Sequence, residues 1–63
     1  MTWWKCDVTL ADGRTETFEY VSREHVADGV LSLYRRETSY GPKEIHLGSW
    51  PLVNVLRWQR VER

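Results

Sequence analysis

The chain has 63 residues, nine basic and nine acidic side chains, and a single cysteine. This length predicts one small domain, residues 1–63, and the zero net charge provides no general attraction to nucleic acid. A lone cysteine excludes an intramolecular disulfide, and no apolar run approaches the roughly 18 residues of a membrane span, so we expect a cytoplasmic protein with no membrane partner.

The pattern of residues 3–20 predicts a β-hairpin. Apolar side chains occupy positions 4, 6, 8 and 10, polar ones fill the positions between them, and the alternation resumes over residues 15–20. A three-residue loop over residues 11–13 places Cys6 opposite Phe18 and Trp4 opposite Tyr20, which keeps all four on one face. This loop requires Gly13 to adopt a positive φ angle.

The polar segment of residues 21–29 shows no alternation. It favours an irregular crossing that ends in a turn at Asp28 and Gly29, with at most one short helical turn before it.

Residues 30–36 and 44–47 alternate again and predict a second hairpin with a long loop over residues 37–43. In the register that keeps the apolar residues together, Leu33 lies opposite Ile45 and Leu31 opposite Leu47. Residues 48–51 contain a glycine and a proline, so we expect a tight or 3₁₀-like corner there.

The last stretch, residues 52–61, is rich in β-forming residues but carries apolar side chains on both faces. One explanation is a strand buried on both sides, with one side covered by another subunit. The other is a bulge near Asn54 that switches the faces.

Together these elements predict an all-β domain of about five antiparallel strands, rolled into a small open barrel. The predicted core consists of Trp4, Cys6, Val8, Phe18, Tyr20, Leu31, Leu33, Ile45, Leu47, Leu56 and Trp58.

Three motifs carry a resemblance: residues 8–14 (VTLADGR), residues 28–35 (DGVLSLYR) and residues 48–50 (GSW). The chain resembles small SH3-like or Sm-like barrels, and more closely the small proteins of actinobacteria and their phages that combine these motifs. The resemblance implies the barrel fold and a phage or actinobacterial source. It assigns no activity and no site residue.

The residues offer little for catalysis, and we expect a protein that is not an enzyme and needs no cofactor or metal. Cys6 lies on the apolar face, where a thiol acts as a small hydrophobe, and His25 and His46 fall at surface positions. These three side chains lack a metal-ligand spacing, and a chain of this size has little room to enclose a pocket of roughly 300 Å³.

A binding function has more support. Trp3 falls on the polar face of the first strand, and Val53 and Val55 lie out of phase with Leu56 and Trp58. Large apolar groups outside the core pattern are typical of contact surfaces, so we expect Trp3, Val53 and Val55 to bind a protein partner or a second copy of the chain.

The alternative is a small barrel that binds single-stranded nucleic acid or RNA through a basic groove and stacking rings. Its candidate residues are Tyr34, Arg35, Arg36, Lys43, Arg57 and Arg60, with Tyr40 and Trp58 as further rings. The neutral net charge argues against this alternative.

Overall fold

The computed structural model describes residues 3–37 and 43–61. Within them the chain forms six β-strands and one 3₁₀ turn: β1 (Trp4–Leu10), β2 (Thr15–Val21), β3 (Arg23–Ala27), β4 (Val30–Glu37), β5 (Lys43–Pro51), the 3₁₀ turn (Leu52–Asn54) and β6 (Val55–Val61). The strands form two antiparallel sheets, with orders β2-β1-β6 and β3-β4-β5. The all-β prediction is confirmed, whereas the expected number of five strands is too small.

The first hairpin has the predicted loop. Cys6 lies opposite Phe18, and Gly13 has a φ of 92°. The amide of Leu10 donates to the carbonyl of Arg14 at 2.7 Å, and the amide of Gly13 donates back to the carbonyl of Leu10 at 2.9 Å. These bonds close the three-residue loop that the alternation required.

The far end of this hairpin differs from the prediction because β2 contains a bulge. Trp4 lies opposite Val21 rather than Tyr20, so the bulged strand carries one extra residue. Tyr20 has a φ of 58° and is 49% exposed, while Val21 is buried in its place. Placing Tyr20 in the core was therefore wrong. Arg35 donates to the backbone carbonyls of Glu19, at 2.8 Å, and Tyr20, at 3.4 Å, which stabilises the bulge.

A corner at Ser22 separates β2 from β3 and passes the chain from one sheet to the other. The Ser22 amide donates to the carbonyl of Tyr34 at 2.9 Å, and the amide of Arg36 donates to the Ser22 hydroxyl at 2.7 Å. The irregular crossing expected before the next turn is wrong, since β3 (Arg23–Ala27) occupies that segment. The turn at Asp28 and Gly29 is confirmed: both φ angles are positive (54° and 73°), as in a type I′ hairpin turn.

The second hairpin has a different register from the one expected. Leu33 lies opposite Gly48 and Leu31 opposite Trp50, with a bulge in β5 before Gly48. The corner predicted at residues 48–51 is wrong, because β5 runs through them and the 3₁₀ turn follows. Pro51 is the last residue of an edge strand, where a missing amide costs no ladder bond. Residues 38–42 of the predicted loop lie outside the described residues.

In the last strand the bulge explanation holds. Leu10 lies opposite Val55 and Thr9 opposite Arg57, so Leu56 is the extra residue of β6. Leu56 is 65% exposed and Trp58 36%, and placing these two in the core was wrong.

The core lies between the inner faces of the two sheets. Its fully or nearly buried residues are Cys6, Val8, Leu10, Val21, Leu31 and Leu33, and the partly buried Trp4, Phe18, Leu47, Trp50, Leu52 and Val55 pack around them. Four of the predicted core residues are thus fully buried, three pack at the periphery, and Ile45 is partly buried.

Candidate functional site

A concave feature lies beside the tip of the first hairpin. It is an open cleft of about 380 Å³, here called the tip cleft, lined by Leu10, Ala11, Asp12, Arg14, Glu16, Trp50 and Asn54. Its volume falls within the range of small-ligand and peptide-anchor sites. The cleft is therefore larger than the chain length led us to expect.

The floor of the tip cleft is held by the 3₁₀ turn. The Ala11 amide donates to the carbonyl of Asn54 at 2.8 Å, which joins the tip of the first hairpin to this turn. The Leu52 amide donates to the carbonyl of Gly29 at 2.8 Å, which joins the same turn to the β3–β4 loop. Both hairpins therefore fix the position of the cleft.

One wall of the tip cleft is the ring of Trp50, and the backbone beneath it explains its position. A Cβ atom on Gly48 would lie 2.7 Å from Cη2 of the Trp50 ring, so glycine leaves the space in which the ring lies. Phe18 meets the ring edge-to-face, with centroids 5.3 Å apart. The indole is therefore held in one place and presents a ready apolar surface to the cleft.

The tip cleft is also lined by charged side chains. The Asp12 carboxylate accepts the backbone amide of Arg14 at 3.0 Å and its Nε at 2.7 Å. These bonds, the backbone one first, hold the pKa of Asp12 below its ordinary value. Glu16 lies opposite the buried Val8, and among residues 3–37 and 43–61 it has no ion-pair or hydrogen-bond partner. The cleft thus combines an aromatic wall with an uncompensated carboxylate.

The residues predicted to bind a protein partner do not form one patch. Trp3 precedes β1 and packs edge-to-face on Tyr20, with centroids 6.2 Å apart. Val53 is 87% exposed on the 3₁₀ turn, whereas Val55 packs against the core. Since the length of β1 separates Trp3 from Val53, the two lie roughly 20 Å apart.

The residues of the nucleic-acid alternative are divided between the two sheets, and three of them already have intramolecular partners. Arg35 binds the carbonyls of the β2 bulge, and Arg60 pairs with Glu24 at 3.3 Å. Tyr34 is covered by the guanidinium of Arg23, 4.1 Å from its ring centroid.

The remaining basic residues of this set lie on different sheets. Arg36 and Lys43 lie on β4 and β5, whereas Arg57 lies on β6. Tyr40 lies outside the described residues. The described chain therefore assembles no continuous basic groove.

A serine–histidine contact occurs on the outer face of the β3-β4-β5 sheet. His46 Nε2 lies 2.6 Å from Ser49 Oγ, which lies 2.8 Å from Ser32 Oγ. A nucleophilic serine also needs a group that orients the histidine and donors for the oxyanion. No described carboxylate contacts His46, and its other described neighbour is the Tyr34 ring at 5.3 Å. The contact links two strands and does not form a catalytic triad.

The single thiol lies in the core. Burial, followed by the nearby carboxylates of Glu24 and Asp7, raises the pKa of Cys6 to about 11. A thiol of that pKa is protonated at neutral pH and a poor nucleophile. Among the described residues, no three His, Cys, Asp or Glu side chains form a group that could hold a metal ion.

Sequence reasoning missed Trp50 and Glu16 as site residues. Trp50 was assigned to a corner because proline follows it. The available signal was Gly48 two positions earlier, since alternate residues of a strand share a face and a glycine there leaves room for a large ring.

Comparison of the chain with family models, curated proteins and solved structures found no match. Within the described parts of the chain, no helix is long and apolar enough to cross a membrane.

Proposed function

We propose that this protein is a non-catalytic, cytoplasmic binding module that acts through protein–protein contacts and is built as a small SH3-like open barrel. Two features support the barrel: the chain bends at Ser22 to pass from one sheet to the other, and a 3₁₀ turn precedes the last strand. The resemblance to actinobacterial and phage proteins suggests the setting, an accessory factor that docks on a host protein.

The observation that carries the binding function is the tip cleft. The ring of Trp50 is positioned before any ligand arrives, because Gly48 and Phe18 fix it. A preformed aromatic wall lowers the entropy cost of binding, and Glu16 adds a charge that can orient the ligand. A segment of a partner protein is the ligand that this open, half-apolar cleft fits best.

Site-specific photocrosslinking tests the proposal. A benzophenone amino acid replaces Asn54, which lines the tip cleft, and in a matched variant it replaces His25, which is exposed on β3. Each variant is irradiated in an actinobacterial lysate, and the adducts are identified by mass spectrometry. We expect protein adducts from position 54, and we expect Trp50→Leu to abolish them without loss of the folded state.

Equal adducts from both positions, or adducts that survive Trp50→Leu, would contradict the proposal. Adducts with RNA would favour the nucleic-acid alternative. Adducts between two copies would support self-association, which a 7.5 kDa monomer mass at micromolar concentration would exclude under those conditions.

A further inference from the structure

Along one flank of the protein the inner faces of the two sheets stay open. Trp58 lies opposite the buried Val8, and Val26 lies opposite the buried Leu31, so both side chains point toward the inner faces. They are nevertheless 36% and 46% exposed. Large apolar side chains that face inward and still contact solvent indicate that no element among residues 3–37 and 43–61 fully covers this flank.

The backbone at this flank is also unpaired. Within residues 3–37 and 43–61, β6 pairs with β1 alone and β3 with β4 alone, so each strand has one free edge. Side chains join the two strands here: Arg60 bonds Glu24 at 3.3 Å, and its guanidinium lies 3.9 Å from the ring centroid of Trp4. A free edge offers alternate amides and carbonyls to an incoming extended chain.

Charge determines which chain this edge accepts. β6 carries Arg57 and Arg60 and no acidic residue, so pairing β6 with a second copy of itself would bring four arginines together. Arg57 lies opposite Thr9 on the outer face and has no ion-pair partner among the described residues, whereas Trp58 faces inward. An added strand would therefore place one outer-face residue beside the Arg57 cation and the neighbouring inner-face residue beside the Trp58 indole.

We propose that the free edge of β6 binds an extended segment of another protein in which acidic and apolar residues alternate. The acidic residues pair with Arg57 on the outer face, and the apolar residues cover Trp58 on the inner face. The segment adds to the β2-β1-β6 sheet as a fourth strand. This edge shares no residue with the tip cleft, so it provides a second contact surface that does not depend on the proposed function.

Nuclear magnetic resonance with short synthetic peptides tests this proposal. The probe is a peptide that alternates glutamate with valine and is blocked at both ends, and its counterpart carries lysine in place of glutamate. We expect the acidic peptide to slow hydrogen exchange at alternate amides of β6, and the basic peptide to leave them unchanged. The peptide can be N-methylated either at its odd-numbered or at its even-numbered residues. Only one of these two patterns should abolish binding, since only one set of peptide amides faces the edge of β6.

Two charge reversals localise the contact. We expect Arg57→Glu to weaken binding of the acidic peptide by about fivefold, in line with a cross-strand ion pair. Arg36→Glu, an exposed arginine on the other sheet, serves as the matched control and should leave the affinity unchanged. Equal weakening by both variants, binding that tolerates both N-methylated peptides, or unchanged β6 exchange at millimolar acidic peptide would each overturn the proposal. A dimer of the free protein that pairs β6 with β6 would also overturn it.

Discussion

Substituting Gly48 by alanine is expected to displace the Trp50 ring and so deform the tip cleft. The new Cβ would lie 2.7 Å from Cη2 and 2.9 Å from Cζ2 of the ring, where carbon atoms normally rest about 3.5–4.0 Å apart. The ring must therefore move by about 1 Å. Phe18, edge-on with centroids 5.3 Å apart, limits the directions in which it can move.

The cost follows from overpacking. Forcing an extra methyl group into a filled site typically costs about 1–3 kcal/mol. A loss of about 2 kcal/mol lowers the Tm of a domain of this size by roughly 8–16 °C. Affinity for any ligand of the tip cleft should fall as well, because the preformed aromatic wall is lost.

A double-mutant cycle with Trp50→Leu measures the effect. Leucine leaves room for the new methyl group, so we expect Gly48→Ala to cost less than about 0.5 kcal/mol in that background. Thermal melts of the four proteins give the coupling energy. An equal loss of Tm in both backgrounds, or no loss in either, would refute the contact between position 48 and the ring.

Three further predictions concern the core and the turns. Because burial raises the pKa of Cys6 to about 11, the ionised thiol is disfavoured in the folded state. The free energy of unfolding should therefore fall as the pH rises from 9 to 11. Thermal melts of Cys6→Ala over the same pH range should lack that fall. Trp4→Ala should cost about 3 kcal/mol or more and largely unfold the domain, and a cooperative melt close to that of the parent protein would show that the ring is peripheral. Gly29→Ala should cost about 1 kcal/mol in urea unfolding, since the φ of 73° strains any residue with a Cβ, and an unchanged midpoint would contradict this.

The parts of the fold that follow from local patterns were predictable. The β1–β2 loop and the turn at Asp28 and Gly29 follow from dipeptides whose backbone preferences are strong. Gly13 has the expected positive φ angle, and the second turn lies where it was predicted. Cys6 and Val8 are buried as their alternation predicts.

The missed features depend on contacts that alternation does not encode. The alternation of inward and outward side chains continues along a strand only as far as the next bulge. Bulges in β2, β5 and β6 each move the side chains that follow to the other face. The bulge in β2 replaces Tyr20 by Val21 in the core. β3 was missed because it is a short edge strand with mostly exposed side chains, which gives no apolar periodicity.

The candidate site was hard to predict for the same reason. Glu16 and Trp50 line one cleft because both hairpins are bonded to the 3₁₀ turn. Nothing in the neighbourhood of either residue in the sequence indicates that they line one cleft. Trp3, Val53 and Val55 were grouped by hydrophobicity alone, and the length of β1 separates Trp3 from the two valines.

The two backbone bonds of the 3₁₀ turn have a consequence for protein synthesis. Each hairpin can form from neighbouring residues, but the bonds from Ala11 to Asn54 and from Leu52 to Gly29 join segments that are distant in the chain. Closing such long loops carries an entropy cost that makes these contacts late events in folding. A ribosome-bound chain whose residues 50–54 have not yet left the exit tunnel therefore presents no finished tip cleft.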